Sequence, residues 1–252
     1  MIKKITVLFL IAIALTSCVS RKKMVYFQNV SSVSDNHYEP KVQPGDEVLI
    51  VVNVTSPNEA LAAPFNPTTV NLSPGTGAGQ AGEGRIYVVD KDGYIPLPLV
   101  GQVKLGGLTK ADALDLVRTE IKKYINDPVI SIKVVNFKVA VLGEVASPGT
   151  YNYPGERLTL PEALGLAGDL TIYGKRNNVL VIRELSGKKT YNYVDLTKVD
   201  FMQSEFYYVS QNDLIYVEPN KSRINSSAVG RDVTIIISSV SVLLSIISLL
   251  TR

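Results

Sequence analysis

Side chains that could perform catalysis or bind a metal are scarce in this 252-residue chain. It has one cysteine, Cys18, and one histidine, His37, which excludes a disulfide framework and argues against a zinc site or a Cys–His catalytic pair. Hydrolysis of a glycosidic bond needs two carboxylates at a fixed separation, but no segment sets a pair of acids apart from predicted turns and helix caps. The sequence therefore predicts no enzyme, no cofactor and no metal ion.

The single cysteine lies at a position that gives its thiol a chemical role. Residues 1–17 contain two lysines and then an apolar run over residues 5–15. This run is shorter than the about 20 helical residues that cross a bilayer core, and it is typical of a secretory signal. The segment ends in LTSC, which resembles the lipobox of bacterial lipoproteins and implies cleavage before Cys18 and lipid attachment to it. An ordinary signal peptide with an incidental cysteine is the alternative. By the same resemblance, Val19 implies sorting to the outer membrane.

Charge and composition exclude other classes of protein. The formal net charge is +3, and without the two lysines of the predicted signal the chain has 24 basic and 23 acidic residues. There is no basic arm or stripe, so we predict no nucleic-acid partner. With 46% apolar residues, the chain can bury a sizeable core in one or two domains.

A second distinctive pattern lies near the C-terminus. Residues 233–251 carry no charge, and as a helix they would extend about 28 Å, enough to cross a bilayer core. We therefore predict a transmembrane amphipathic helix over residues 232–252. Hydroxyl side chains spaced by four and three residues would form one stripe of that helix, facing a neighbouring copy or a water-filled lumen: Thr234, Ser238, Ser241, Ser245 and Ser248. A plain single-span anchor, with serines bonded to carbonyls of their own helix, is the alternative.

Residues 40–136 are predicted to form a first domain. Alternating apolar residues and turn signals indicate a turn feeding a strand over residues 42–52, and strands over residues 86–89, 94–98 and 129–135. Thr109 begins a helix with Asp112 in a capping-box arrangement, and its inner face is predicted to carry Leu114, Val117, Ile121 and Ile125. Residues 55–84 are rich in Gly and Pro. They are predicted to be a flexible insertion and not a phosphate-binding loop, because a strand follows directly.

Residues 137–220 are predicted to form a second domain, with strands over residues 139–145, 150–153, 179–182 and 190–193. Thr159 caps a short helix with Glu162 at the capping-box position. The segment 209–217 resembles 42–48, and Asp46 and Asp213 in these turns are predicted to accept backbone N–H groups. Residues 18–39 are predicted to be a lipid-anchored tether with a short ordered stretch near residues 24–27, and residues 221–231 a linker.

These motifs together resemble the polysaccharide export proteins, outer-membrane lipoproteins that carry capsule or exopolysaccharide out of the cell. Three segments resemble the export domain of that family: VQPGDEVLIVV, DKDGYIPLPLVGQVKLGGLTKADA and NDPVISIKV. A fourth segment resembles its β-grasp (SLBB) module: VLGEVASPGTYNYPGERLTLPEAL. The resemblance covers about residues 41–219. It implies an α+β chain: an export domain with a mixed sheet and one helix, an SLBB-like β-grasp domain, and a C-terminal transmembrane helix.

The resemblance also implies a function and partners. It predicts a homo-oligomeric ring in the periplasm that translocates capsular or exopolysaccharide, supplied by an inner-membrane polysaccharide co-polymerase of the tyrosine-kinase type. Cys18 and the C-terminal helix would hold the ring in outer-membrane lipid. Six tyrosines could contact sugars, although such residues are more often half-buried in sheets: Tyr151, Tyr153, Tyr191, Tyr193, Tyr207 and Tyr208. The alternative function is a lipid-anchored periplasmic module that binds a glycan or a partner and forms no pore.

Overall fold

A computed structural model describes residues 22, 24–29, 38–54, 62–66, 84–185 and 187–228, together with 235, 238–239, 241–243 and 245–246. Buried apolar side chains form two separate cores within these residues. One core draws its members from residues 42–132 and the other from residues 137–217. We refer to these two parts as the first and the second domain.

The first domain contains a three-stranded antiparallel sheet in the order β2-β1-β5. Its strands are β1 (Glu47–Val54), β2 (Arg85–Val88) and β5 (Pro128–Val134). Alternate residues of β1 are buried in a core that they share with helix α1 (Lys110–Ile121), which packs on β5. A hairpin of β3 (Tyr94–Leu97) and β4 (Gly101–Lys104) completes the domain. The prediction of a mixed sheet here is wrong, because each described strand pair of this domain is antiparallel.

Helix α1 begins where the sequence predicts. The Thr109 side chain accepts a hydrogen bond from the Asp112 N–H, which confirms the predicted N-cap. Val117, Ile121 and Ile125 are buried as expected. Leu114 is only partly buried, because Ala113 takes the innermost position in that turn of the helix.

The second domain contains a five-stranded sheet in the order β10-β9-β12-β6-β7. Its strands are β6 (Lys138–Gly143), β7 (Gly149–Asn152), β9 (Gly174–Leu185), β10 (Lys188–Val194) and β12 (Leu214–Pro219). The β12–β6 pair is parallel and the other pairs are antiparallel, so the mixed sheet lies in this domain. Helix α2 (Leu160–Leu166) shares the buried core on its inner face.

Short elements complete the second domain. Strand β8 (Leu158–Thr159) pairs with β11 (Tyr208–Val209), and a 3-10 helix spans Asp200–Gln203. The capping box of Thr159 and Glu162 at the start of α2 is confirmed, with both reciprocal hydrogen bonds present. Residues 221–231, predicted to be a linker, begin with helix α3 (Lys221–Ala228).

The N-terminal segment packs on the second domain. The N–H groups of Phe27 and Gln28 donate to the carbonyls of Leu196 at 3.2 Å and Thr197 at 2.7 Å. The Phe27 ring stacks on Phe201 with the ring centroids 6.0 Å apart. The ordered stretch predicted near residues 24–27 is therefore confirmed, and it belongs structurally to the second domain.

The predicted C-terminal transmembrane helix over residues 232–252 is wrong. Within the part of the chain that the structure describes, no helix has the length and apolar character needed to cross a membrane. The described positions of this region, residues 235, 238–239, 241–243 and 245–246, are helical. The α+β character of the two domains remains, and the membrane helix is removed from the fold class.

Candidate functional site

A cleft of about 370 Å³ lies between the two domains. The first domain contributes the turn before β1, one face of α1 and the end of β5, and the second domain contributes the loop at residues 155–157. Apolar side chains form much of the wall: Leu114, Ile132, Val134 and Phe137. An ion pair between Lys110 and Glu156 bridges the two domains at its rim. Apolar walls with a few polar groups are typical of ligand pockets.

A buried carboxyl, Asp46, also lines this cleft. The side chain is 3% exposed, and Oδ2 accepts a hydrogen bond from the Gln43 N–H at 2.8 Å. Its other oxygen, Oδ1, is buried and has no hydrogen-bond partner among the described residues. Burial raises the pKa of Asp46 from 3.8 to about 6, and the hydrogen bond from Gln43 opposes this rise.

The second domain contains a similar turn, in which the buried carboxylate is paired with a cation. Asp213 Oδ2 accepts the Ser210 N–H at 2.7 Å, and the Arg183 guanidinium donates to both carboxylate oxygens at 2.7–3.1 Å. Burial raises the pKa of Asp213, whereas Arg183 and the Ser210 N–H lower it. The prediction that both aspartates accept N–H groups of their own turns is confirmed.

Strand register explains why one aspartate has a cation and the other does not. In the β9–β12 pair, Arg183 lies opposite Asp213. In the β1–β2 pair, the residue opposite Asp46 is Val89, whose N–H donates to the Asp46 carbonyl at 2.9 Å. The presence or absence of a cation cannot be predicted from the similar turn sequences, because it depends on which residue of the neighbouring strand lies opposite the aspartate.

The six predicted sugar-contact tyrosines divide into two groups. Four are partly buried and pack within the second domain or on its surface: Tyr151, Tyr153, Tyr207 and Tyr208. Tyr191 and Tyr193, both on the edge strand β10, are 65% and 58% exposed. They lie two residues apart and therefore on one face of the sheet, in register with Ile182 and Leu180 of β9. Their rings are the ones available to a ligand in solution.

The predicted lipid-anchor and stripe residues are only partly described. Cys18, Thr234 and Ser248 lie outside the described residues. Ser238, Ser241 and Ser245 are exposed. The hydroxyls of Ser238 and Ser245 donate to the carbonyls of Ile235 and Ser241, each at 2.9 Å, which is the back-bonding named as the alternative to a functional stripe.

Metal ligands do not cluster in the described ranges. No group of three or more His, Cys, Asp or Glu side chains among these residues could hold a metal ion. The acids that line the cleft come from two segments, Glu39 and Asp46 from residues 38–46 and Glu156 from residues 155–157.

Comparison with known proteins places this geometry in a family context. Residues 34–135 match the model of polysaccharide biosynthesis/export proteins, and residues 138–192 match the SLBB domain model. An EPS I polysaccharide export outer membrane protein EpsA from Ralstonia solanacearum is 31% identical over 101 residues, and one from Ralstonia nicotianae (strain ATCC BAA-1114 / GMI1000) is 32% identical over 101 residues. These matches cover 38% of this chain and 27% and 26% of the relatives, so they span about a quarter of each relative's length.

Proposed function

Because the chain belongs to the polysaccharide biosynthesis/export family, we propose that it is a subunit of an outer-membrane apparatus that exports an exopolysaccharide. The observation that carries this proposal is the pair of domains. An export domain and an SLBB domain follow each other in one chain, and each has a core of its own in the structure. The role is transport and not catalysis.

We propose further that the working form is a ring of copies around the passing glycan. Cyclic assemblies are common for chains that must enclose a path. Cys18 would carry the lipid that holds each copy at the outer membrane. An inner-membrane polysaccharide co-polymerase of the tyrosine-kinase type would deliver the glycan.

The exposed face of β10 is the proposed point of contact with the glycan. The faces of aromatic rings carry partial negative charge and attract positively polarised C–H groups, which pyranose rings present. Tyr191 and Tyr193 offer two such rings on one strand, and the apolar Leu180 and Ile182 extend the surface inward. A surface of this kind can hold a sugar chain weakly and still let it move.

Complementation of a deletion strain tests the proposal. We expect deletion to reduce polysaccharide in cell-free culture fluid at least about tenfold, and the wild-type chain to restore it. A Tyr191→Ser/Tyr193→Ser variant should restore only a part, because it loses both rings from an exposed face and keeps the core. A Thr190→Ser variant on the same strand serves as the matched control. Unchanged polysaccharide in the culture fluid of the deletion strain would refute an export role.

The assembly state is measured separately. Full-length lipidated protein in mild detergent should elute as a closed oligomer of uniform size. A monomer at all concentrations would favour the lipid-anchored binding module that forms no pore.

A further inference from the structure

Two segments that are distant in sequence meet at one loop of the second domain, residues 170–174. From the N-terminal side, the Tyr26 hydroxyl donates to Asp169 Oδ1 at 2.6 Å. The Tyr26 ring lies 5.4 Å from the guanidinium carbon of Arg176. That guanidinium in turn donates to the loop carbonyls of Thr171 at 3.1 Å and Gly174 at 3.0 Å. The N-terminal segment is thus joined to the loop through one buried arginine.

Helix α3 holds the same loop from the C-terminal side. The Asn220 N–H donates to the Tyr173 carbonyl at 2.7 Å, and the Arg223 guanidinium lies 5.5 Å from the centre of the Tyr173 ring. Arg223 also pairs with Glu144 at 3.4 Å, and Glu144 accepts the Thr171 hydroxyl at 2.7 Å. These contacts therefore fix the loop at both ends and leave the side chains at its tip exposed to solvent.

The tip of this loop is apolar. Ile172 is 64% exposed, and the neighbouring Tyr173 is also at the surface. Val25, in the docked N-terminal segment, is a further exposed apolar side chain. The exposed cations Lys221 and Arg223 stand beside this group on α3. An isoleucine tip with an adjacent tyrosine and flanking cations is the composition of a membrane–water interface.

We propose that the loop at residues 170–174 rests on the membrane surface and inserts Ile172 among the lipid headgroups. This inference deepens the proposed function, because it uses the lipid on Cys18. Seven residues lie between Cys18 and Tyr26, so the Cα atom of Cys18 lies within about 28 Å of that of Tyr26 even if this segment is fully extended. This lipid attachment brings that end of the second domain to the lipid surface.

Charge complementarity selects lipid as the occupant. Lys221 would meet the negative potential of an anionic leaflet, whereas Arg223 already pairs with Glu144. The aliphatic stems of both cations and the Tyr173 ring would lie along the apolar boundary. The outer face of β10 also exposes apolar side chains, but no segment that leads to Cys18 docks beside it in the described chain.

The absence of tryptophan from the sequence makes a direct test simple. Ile172→Trp introduces a single tryptophan at an exposed position. The full-length lipidated variant is reconstituted in vesicles of about three parts phosphatidylethanolamine to one part phosphatidylglycerol, with and without lipids brominated near the headgroup. We expect a blue-shifted emission and quenching by the brominated lipid.

Tyr124→Trp is the matched control, since Tyr124 is 49% exposed and lies just after α1 in the first domain. Quenching at position 172 should exceed quenching at position 124 by about twofold or more. Equal quenching at both positions, or none at 172 in protein that floats with the vesicles, would overturn the docking of this loop and leave the export function standing. Protein that fails to float with vesicles at all would overturn the lipid attachment that both proposals share.

Discussion

Asp46 and Asp213 show how one residue type in one kind of turn can have opposite electrostatic surroundings. Both carboxyls are buried and both accept a backbone N–H from three residues earlier. Arg183 neutralises Asp213, whereas Asp46 has an unpartnered oxygen among the described residues. A buried carboxylate without a cation favours its protonated form in the folded state, so Asp46 links the stability of the first domain to pH.

Asp46→Asn should flatten this pH dependence. Because the pKa of Asp46 is raised from 3.8 to about 6 in the folded protein, its contribution to stability is complete below about pH 4 and is lost as the pH rises through about 6. We expect the free energy of unfolding of the wild type to fall by roughly 2–3 kcal/mol from this group between pH 4 and pH 7. Urea unfolding across that range measures it. A variant that keeps the wild-type slope would show that another group is responsible.

Sequence patterns predict these turns but not their chemistry. The resemblance of 42–48 to 209–217 is visible in the sequence, and the N–H bonds to both aspartates follow from it. The cation at Asp213 depends on Arg183, which lies thirty residues away and faces Asp213 only through the β9–β12 register. The exposure of Ile172 likewise depends on contacts from Tyr26 and Arg223 that no local pattern contains.

At the level of elements, the parallel β12–β6 pair depends on Gly143. This glycine has φ +92°, and a Cβ at this position would overlap the carbonyl oxygen of Val217. That carbonyl accepts the Glu144 N–H at 2.9 Å. The close approach of β6 and β12 at their ends therefore requires a residue without a side chain.

Gly143→Ala should weaken the second domain strongly. The alanine would adopt an unfavourable positive φ and would push β12 away from β6, for an expected loss of more than about 2 kcal/mol of unfolding free energy. Gly165→Ala is the matched control. Gly165 lies in α2 with nothing within 4 Å of an added Cβ, so this change should be neutral or stabilise by up to about 1 kcal/mol. Equal midpoints of thermal unfolding for the two variants would contradict the role of Gly143.

Elements with local signals were predictable and long-range pairings were not. The caps at Thr109 and Thr159 specify the starts of α1 and α2 because their hydrogen bonds span only three residues. The position of the mixed sheet was predicted in the wrong domain, because the parallel partner of β6 is separated from it by about seventy residues.

At the level of the whole molecule, two side chains join the domains. Asn136 accepts the Glu47 N–H at 2.9 Å and donates to the Gly45 carbonyl at 3.0 Å. Gln211 donates to the Asn136 carbonyl and accepts the Lys138 N–H, each at 2.8 Å. These bonds connect the turn before β1 to the turn before β12, so both aspartate-containing turns meet at the junction.

Removing these amides should loosen the junction without unfolding either domain. In Asn136→Ala/Gln211→Ala the loss of several hydrogen bonds, about 1 kcal/mol each, should speed tryptic cleavage between the domains roughly tenfold or more through local opening. The flanking Lys133 and Lys138 supply exposed cleavage sites. Asn192→Ala, on β10 and remote in sequence from the junction, serves as the control. Wild-type cleavage rates in the double variant would show that these amides do not hold the junction closed.

The place of β12 in the sheet has a consequence for the order in which the chain can fold. The first domain has all its strands once residue 134 is available. The second domain lacks a middle strand until residues 214–219 arrive, because β12 lies between β9 and β6. Until then β6 and β9 each leave one edge unpaired, and the closing contacts are distant in sequence and slow to form. A chain that emerges N-terminus first therefore leaves its second domain incomplete until residues 214–219 have been synthesised, and this domain carries the proposed contact with lipid.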